Sequence, residues 1–247
     1  MNNYKLYLSF DGTEFSGWQR LGGNTKTIQK TLEDCIFKMT GKKTEVIGCG
    51  RTDAGVHAKK YVANFKTKEA FKPQFIKEYL NRYLPKSINV FDCKEADDRF
   101  HSRFSVEKKT YVYRIWNSFE HNVFERKYMY DFCENLDIAA MQNAAKRFLG
   151  CHDFLGFSSL KKAKKSTKRT IFFLDINKIG DEIDIVVTGD GFLYNTVRII
   201  SGTLLEIGCK QRDAKTIDDV FSKKDRTLAG FTAPAKGLFL KDVFFNE

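Results

Sequence analysis

The chain has 247 residues, enough for one large domain or two of roughly 100–150 residues each. With 42% hydrophobic residues and 23 phenylalanines it can bury a substantial core, which excludes a disordered chain. Its formal net charge of +11, in a sequence that is 30% charged, points to a polyanionic partner, and nucleic acid fits best. No apolar run approaches the ~20 residues a membrane span requires. The opening Met1-Asn2-Asn3-Tyr4-Lys5 passes straight into a strand pattern without signal-peptide character, so the expected compartment is the cytoplasm. Six cysteines are scattered without a CxxC pair, and the four histidines lack ligand spacing. Reduced thiols and no metal site follow.

In chain order, Lys5 to Phe10 alternates as a strand and stops at the turn signal Asp11-Gly12. Ile28 to Met39 carries apolar residues at 28, 32, 36 and 39, which is helical spacing, with Thr27 as N-cap. Val46-Ile47 and Tyr61 to Phe65 read as strands on either side of a glycine-framed loop. Phe75 to Leu84 is a second helix. Ile88 to Phe91 and the long alternating Lys109 to Trp116 are strands. Further on, Ile138 to Leu149 is a helix, and Thr170 to Ile176 with Ile183 to Thr188 forms a hairpin. Asn195 to Ile207 is a helix carrying Arg198 near its start. Thr216 to Phe221 is a short helix, and Leu238 to Phe244 a final strand. The expected organisation is two α/β halves, 1–105 and 106–247, packed sheet beside sheet around a cleft.

The loop Gly48-Cys49-Gly50-Arg51-Thr52-Asp53-Ala54-Gly55-Val56-His57 places one carboxylate in a tight turn between strands. A charged residue presented this way suggests function more than packing. Taken alone, Asp53 can be a nucleophile, a general base or a cap of local backbone amides.

The string GRTDAGVHA resembles the signature of the TruA family of tRNA pseudouridine synthases. Six further segments lie in family order along the chain: Asp11 to Arg20 (DGTEFSGWQR) before it, then Phe100 to Ser105 (FHSRFS), Lys109 to Tyr113 (KTYVY), His152-Asp153-Phe154 with Phe157, Phe192 to Leu204 (FLYNTVRIISGTL), and Ala233 to Leu238 (APAKGL). Six landmarks in register cover nearly the whole chain. The resemblance implies an α+β pseudouridine synthase fold, two similar halves forming a continuous mixed sheet flanked by helices around a central catalytic cleft. It also implies isomerisation of uridine to pseudouridine in the tRNA anticodon stem-loop, at positions 38, 39 and 40, by a homodimer acting on RNA and not on DNA. No cofactor is called for, which agrees with the lack of a Gly-rich phosphate loop.

By the same resemblance Asp53 is the catalytic nucleophile, Arg198 its ion-pair partner, and Tyr111 the ring that stacks on the extruded uracil and serves late proton removal. In isolation Arg198 would equally cover a helix face, and Tyr111, sharing a strand face with Tyr113, would equally be core. Arg51 is read as holding the flipped nucleotide's backbone, with Thr52 and His57 beside it, although His57 suits a structural loop role better. The run Lys161, Lys162, Lys164, Lys165, Lys168 and Arg169 is expected to grip tRNA phosphates. Two departures stand out: Lys59-Lys60 replaces a usual Gln, and Asn195-Thr196 a usual His/Met pair, neither expected to touch Asp53, Tyr111 or Arg198. Three alternatives remain: a non-catalytic RNA-binding module, which would be expected to have lost one of those three residues; an aspartate-based hydrolase, which lacks a second carboxylate; and a synthase acting on another RNA such as rRNA.

Overall fold

The computed structural model describes residues 1–23, 25–161 and 165–245. In chain order the elements are β1 (Asn2–Phe10), α1 (Ile28–Thr40), β2 (Ile47–Gly48), β3 (His57–Thr67), α2 (Pro73–Tyr83), β4 (Ile88–Ala96) and β5 (Val106–Trp116). Then come β6 (Tyr130–Asp131), α3 (Ile138–Ala145), β7 (Gly150–Asp153), β8 (Lys168–Ile179), β9 (Glu182–Gly189), α4 (Thr196–Gly208), α5 (Thr216–Lys223) and β10 (Leu238–Phe245). The chain divides into two compact units, Met1–Glu107 with Phe239–Glu247, and Lys108–Leu238. Each is α+β, with a mixed sheet flanked by helices. Among the described residues no helix is long and apolar enough to cross a membrane.

In the first unit the strand order is β4-β1-β3-β10, with β2 on β3. β1 runs antiparallel to both β3 and β4, and β10 lies parallel to β3 through Phe239↔His57 and Leu240↔Ala58. The alternation read in β1 puts Tyr4, Leu6, Leu8 and Phe10 on one buried face. α1 begins where Thr27 accepts a hydrogen bond from the Lys30 N–H and ends at Gly41 in the left-handed region (φ 69°). Its apolar stripe Ile28, Leu32, Cys35 and Ile36 is buried. α2 starts at Pro73, two residues before the expected Phe75, because proline suits the first helical position; Phe75 itself faces solvent.

In the second unit the order is β5-β9-β8-β7, with β6 parallel to β5. The expected hairpin is β8–β9, antiparallel, with Ile179 opposite Glu182. The helix expected over Ile138–Leu149 ends at Ala145 and tightens into a 3₁₀ turn over Lys146–Phe148. That turn delivers Phe148 into an aromatic cluster with Phe157 (ring centroids 4.9 Å apart) and Phe221 (5.9 Å), which Phe154 joins at 5.2 Å from Phe221. Phe148, Phe154 and Phe157 are fully buried. The HDF-x-x-F segment is thus an anchor of this core.

Asp153 fastens the same segment. Its Oδ1 accepts from the Thr167 hydroxyl (2.5 Å) and the Leu155 N–H (3.1 Å), and its Oδ2 pairs with Lys224 Nζ at 2.8 Å. Burial alone would raise this carboxyl, but the Lys224 ammonium and the two hydrogen bonds hold it below its ordinary value. A lowered native pKa adds stability above the unfolded carboxylate pKa and loses it as pH falls through the native one. In acid titrations followed by circular dichroism, the native chain is expected to lose stability steeply below the ordinary carboxylate range. Asp153→Asn should start less stable at neutral pH and show a flatter acid slope; an unchanged slope contradicts this account.

Candidate active site

The Asp53 turn closes through a backbone bond from Val56 N–H to the Asp53 carbonyl at 3.2 Å. A turn this short takes its position from what packs against it. Residues 12–18 lie against it backbone to backbone. Trp18 N–H donates to the Thr52 carbonyl (3.1 Å) and Gly55 N–H to the Phe15 carbonyl (3.3 Å). A side chain at Gly12 would come within 2.0 Å of the Val56 carbonyl oxygen. Gly17 sits at φ +92°, and a Cβ there would meet the Thr52 oxygen at 2.5 Å. Only glycine permits both the approach and that conformation.

The segment is braced in turn. Trp18 stacks on Tyr61 (4.1 Å, 24°), and the Tyr61 hydroxyl donates to the Gly50 carbonyl. Gln29 N–H donates to the Trp18 carbonyl (2.9 Å), and the Gln29 amide oxygen accepts from Arg20 N–H (2.8 Å). Arg20 pairs with the buried Glu33 (3.1 Å), whose other oxygen accepts from Val46 N–H just before β2. The DGTEFSGWQR segment is thus a clamp between α1 and the carboxylate loop.

On the loop itself Arg51 is exposed and Asp53 half-buried. Thr52 is buried, and its hydroxyl has no hydrogen-bond partner among the described residues. His57 is only 1% exposed. Its Nδ1 accepts from Gly12 N–H at 3.0 Å and lies 3.2 Å from Asp11 Oδ1, while its ring stacks on Phe239 at 4.6 Å. This occupation is what a structural loop histidine would show.

In the second unit Tyr111 lies on β5 opposite Val187, 9% exposed, with Phe192 edge-on at 5.3 Å. Tyr113, on the same strand face, is fully buried and donates to the Pro234 carbonyl (2.8 Å). Burial pushes the Tyr113 hydroxyl far above the ordinary tyrosine range, with Tyr130 adding and the Arg198 guanidinium opposing. Tyr113 is therefore a core residue. Arg198, half-buried on the first turn of α4, donates from Nε to the Ala233 carbonyl (2.7 Å) and from Nη1 to Asn195 Oδ1 (2.9 Å). Ala233 N–H returns a bond to the Arg198 carbonyl (3.2 Å). The Ala233-Pro234 segment is thus bonded to Arg198 on one side and to the β5 tyrosine face on the other.

The expectation that Asn195 stands clear of Arg198 is overturned by that 2.9 Å bond. Sequence reasoning marks Asn195 only as a departure from a family pattern; its place three residues before an arginine at a helix start is the available signal. Of the basic run, Lys162 and Lys164 lie outside the described residues. Lys161, Lys165 and Lys168 are exposed, whereas Arg169 turns its guanidinium onto the Ser166 and Lys168 carbonyls at 3.0 and 2.6 Å. Among the described residues no cluster of His, Cys, Asp or Glu could hold a metal ion.

Both units carry the landmarks of one enzyme class. A family profile described as tRNA pseudouridine synthase matches residues 7–105 and 144–246. The chain belongs to this family, the TruA-type pseudouridine synthases. It is 45% identical over 245 residues to tRNA pseudouridine synthase A 2 of Bacillus cereus, covering 99% of this chain and 100% of that one. It is 47% identical over 245 residues to tRNA pseudouridine synthase A of a Bacillus species, with the same coverage. With tRNA pseudouridine synthase A 1 of Clostridium tetani it shares 46% identity over 243 residues, 98% of this chain and 99% of the relative.

The clamp yields a direct expectation. Gly17→Ala forces a side chain into the Thr52 carbonyl at a positive φ, so it should destabilise the protein by roughly 1–3 kcal/mol in denaturant titrations. Any surviving folded fraction should carry a displaced Asp53 turn, seen as faster hydrogen exchange at the Val56 N–H. Wild-type stability in this variant would show that the close approach is not required.

Proposed function

We propose that this protein is a tRNA pseudouridine synthase that isomerises uridines 38, 39 and 40 of the anticodon stem-loop, with Asp53 as nucleophile and Arg198 and Tyr111 as the further catalytic residues. The observation that carries the reading is the clamped presentation of Asp53 in a loop whose sequence matches the family signature, in a chain that aligns over its full length with synthases of that name. The reaction needs one bond broken and one made. The N1–C1′ bond opens with Asp53 attacking at C1′ or at C6, the uracil turns, C5 bonds to C1′, and the bond to Asp53 breaks to return the free carboxylate. The C5 hydrogen then leaves as a proton and N1 takes one up, so there is no net redox change.

By the family resemblance Arg198 is the ion-pair partner of the catalytic carboxylate. Tyr111 offers a ring for the extruded base and a hydroxyl for the C5 proton. Arg51 and Thr52, just before Asp53, hold the flipped nucleotide. The exposed Lys161, Lys165 and Lys168 meet phosphates, and the +11 net charge draws in the polyanion. The enzyme works in the cytoplasm as a homodimer, as the family resemblance implies.

Asp53→Asn is expected to lower pseudouridine formation, mapped on unmodified tRNA and followed by release of label from uracil C5, by more than about 1,000-fold, as loss of a nucleophile does. Its tRNA affinity should stay near that of the native protein. Tight tRNA binding by the native protein without product would favour a non-catalytic RNA-binding module instead, and product only on rRNA would move the substrate.

The lysines should behave differently. Lys165→Ala with Lys168→Ala is expected to weaken tRNA binding and to reduce the salt slope of log K by about 0.7–0.9 per phosphate no longer neutralised. Turnover at saturating tRNA should be unchanged; an unaltered slope would remove this run from the RNA-binding surface.

A further inference from the structure

We propose that Asn195 is a positioning residue that aims the Arg198 guanidinium, and that Ser159 anchors it; the inference rests on the synthase reading of Arg198. Asn195 stands at the N-cap of α4. An asparagine there ordinarily turns its oxygen onto a backbone N–H one turn into the helix. In this chain it makes no such cap bond. Its Oδ1 instead accepts from Arg198 Nη1 at 2.9 Å, and its Nδ2 donates to Ser159 Oγ at 3.0 Å. The backbone is in the left-handed region, φ 64°, which is costly for a residue with a side chain. The helix thus forgoes a cap and tolerates strain at one residue, a combination that marks a site held for function.

The bonds form a chain with a fixed far end. Ser159 N–H donates to the Tyr194 carbonyl at 3.0 Å, so the residue before Asn195 is tied to the same serine. Ser159 follows Phe157 and Ser158, both buried, and the Ser158 hydroxyl donates to the Leu155 carbonyl. The HDF-x-x-F core therefore reaches Arg198 through Ser159 and Asn195. On its other side the guanidinium is held by the Ala233 carbonyl. Two bonds from different segments, one through Nε and one through Nη1, fix the plane of the fork. A planar group fixed at two nitrogens delivers its charge in one direction.

The test uses Asn195→Gly, which keeps the left-handed backbone and deletes both side-chain bonds, together with Ser159→Ala. In single-turnover reactions with tRNA, Asn195→Gly is expected to lower the rate about 10–100-fold, the range for a lost charge-assisted hydrogen bond, with tRNA affinity and melting temperature near native. Ser159→Ala should lower the rate less, and should add nothing in the Asn195→Gly background, because both act through one chain. Native rates in Asn195→Gly, or fully additive effects, overturn the proposal.

A second readout stands apart from turnover. The Arg198 Nε–H resonance, assigned by its loss in Arg198→Lys, should exchange with solvent about tenfold faster in Asn195→Gly than in the native protein. If the native protein makes no pseudouridine, the functional reading fails, and this signal alone decides the placement. Unchanged exchange overturns it, and faster exchange upholds it.

Discussion

The structure turns on the fact that a carboxylate on a short turn cannot fix its own position. The Asp53 turn spans too few residues to hold itself rigid through bonds such as Val56 N–H to the Asp53 carbonyl. Side-chain packing would set it with the tolerance of flexible groups. Backbone packed on backbone leaves far less slack, and that is what Gly12 and Gly17 provide. Each would otherwise drive a methyl group into a carbonyl of the turn. The stacked Trp18–Tyr61 pair and the Arg20–Glu33–Val46 chain then tie that backbone to α1 and β2, so the loop inherits the rigidity of regular elements.

The second unit solves the corresponding problem for a cation by another route. A guanidinium on four rotatable bonds loses considerable rotamer freedom when it is fixed. Arg198 is fixed by partners that are immobile for independent reasons: the Ala233 carbonyl, on a segment tied to fully buried Tyr113, and Asn195, locked by a left-handed backbone. The aromatic cluster around Phe148, Phe157 and Phe221 is therefore more than a reservoir of stability. It is the ground to which the Ser159–Asn195–Arg198 chain is attached.

Much of this is legible in the sequence, and the reasons differ by element. Helices α1 and α4 and strands β1, β8 and β9 carry periodicities set by burial of one face, which residue order records directly. Strands β6 and β7, of two and four residues, have too few positions for an alternation to register. The end of α3 is overestimated because Phe148 continues the apolar pattern while the backbone tightens to meet Phe157. Asp53, Tyr111 and Arg198 stand out through family motifs, but the bonds that hold them do not. Hydrogen bonds between residues 35 positions apart, such as Arg198 to Ala233, leave no periodic trace. His57 is a mixed case. An imidazole four residues after a loop aspartate leaves its role open in the sequence, and only the structure shows its ring packed on Phe239 and its Nδ1 accepting from Gly12 N–H.

The division between frame and site also explains how one loop can be specific in chemistry while the charge around it is not specific in address. Under the proposed function, the lysines near β8 act through a screened, roughly additive field that falls with salt and reads only phosphate density. The interactions around Asp53 and Arg198 are short, directional and partly withdrawn from water, so each is sensitive to displacements of a fraction of an ångström. Under the proposed function, a substitution in the lysine run changes how often RNA arrives, whereas one at Gly17 or Asn195 changes what happens after arrival. The Asp53 turn and the Arg198 guanidinium are each fixed within their own unit, and neither has the freedom to follow a misplaced group.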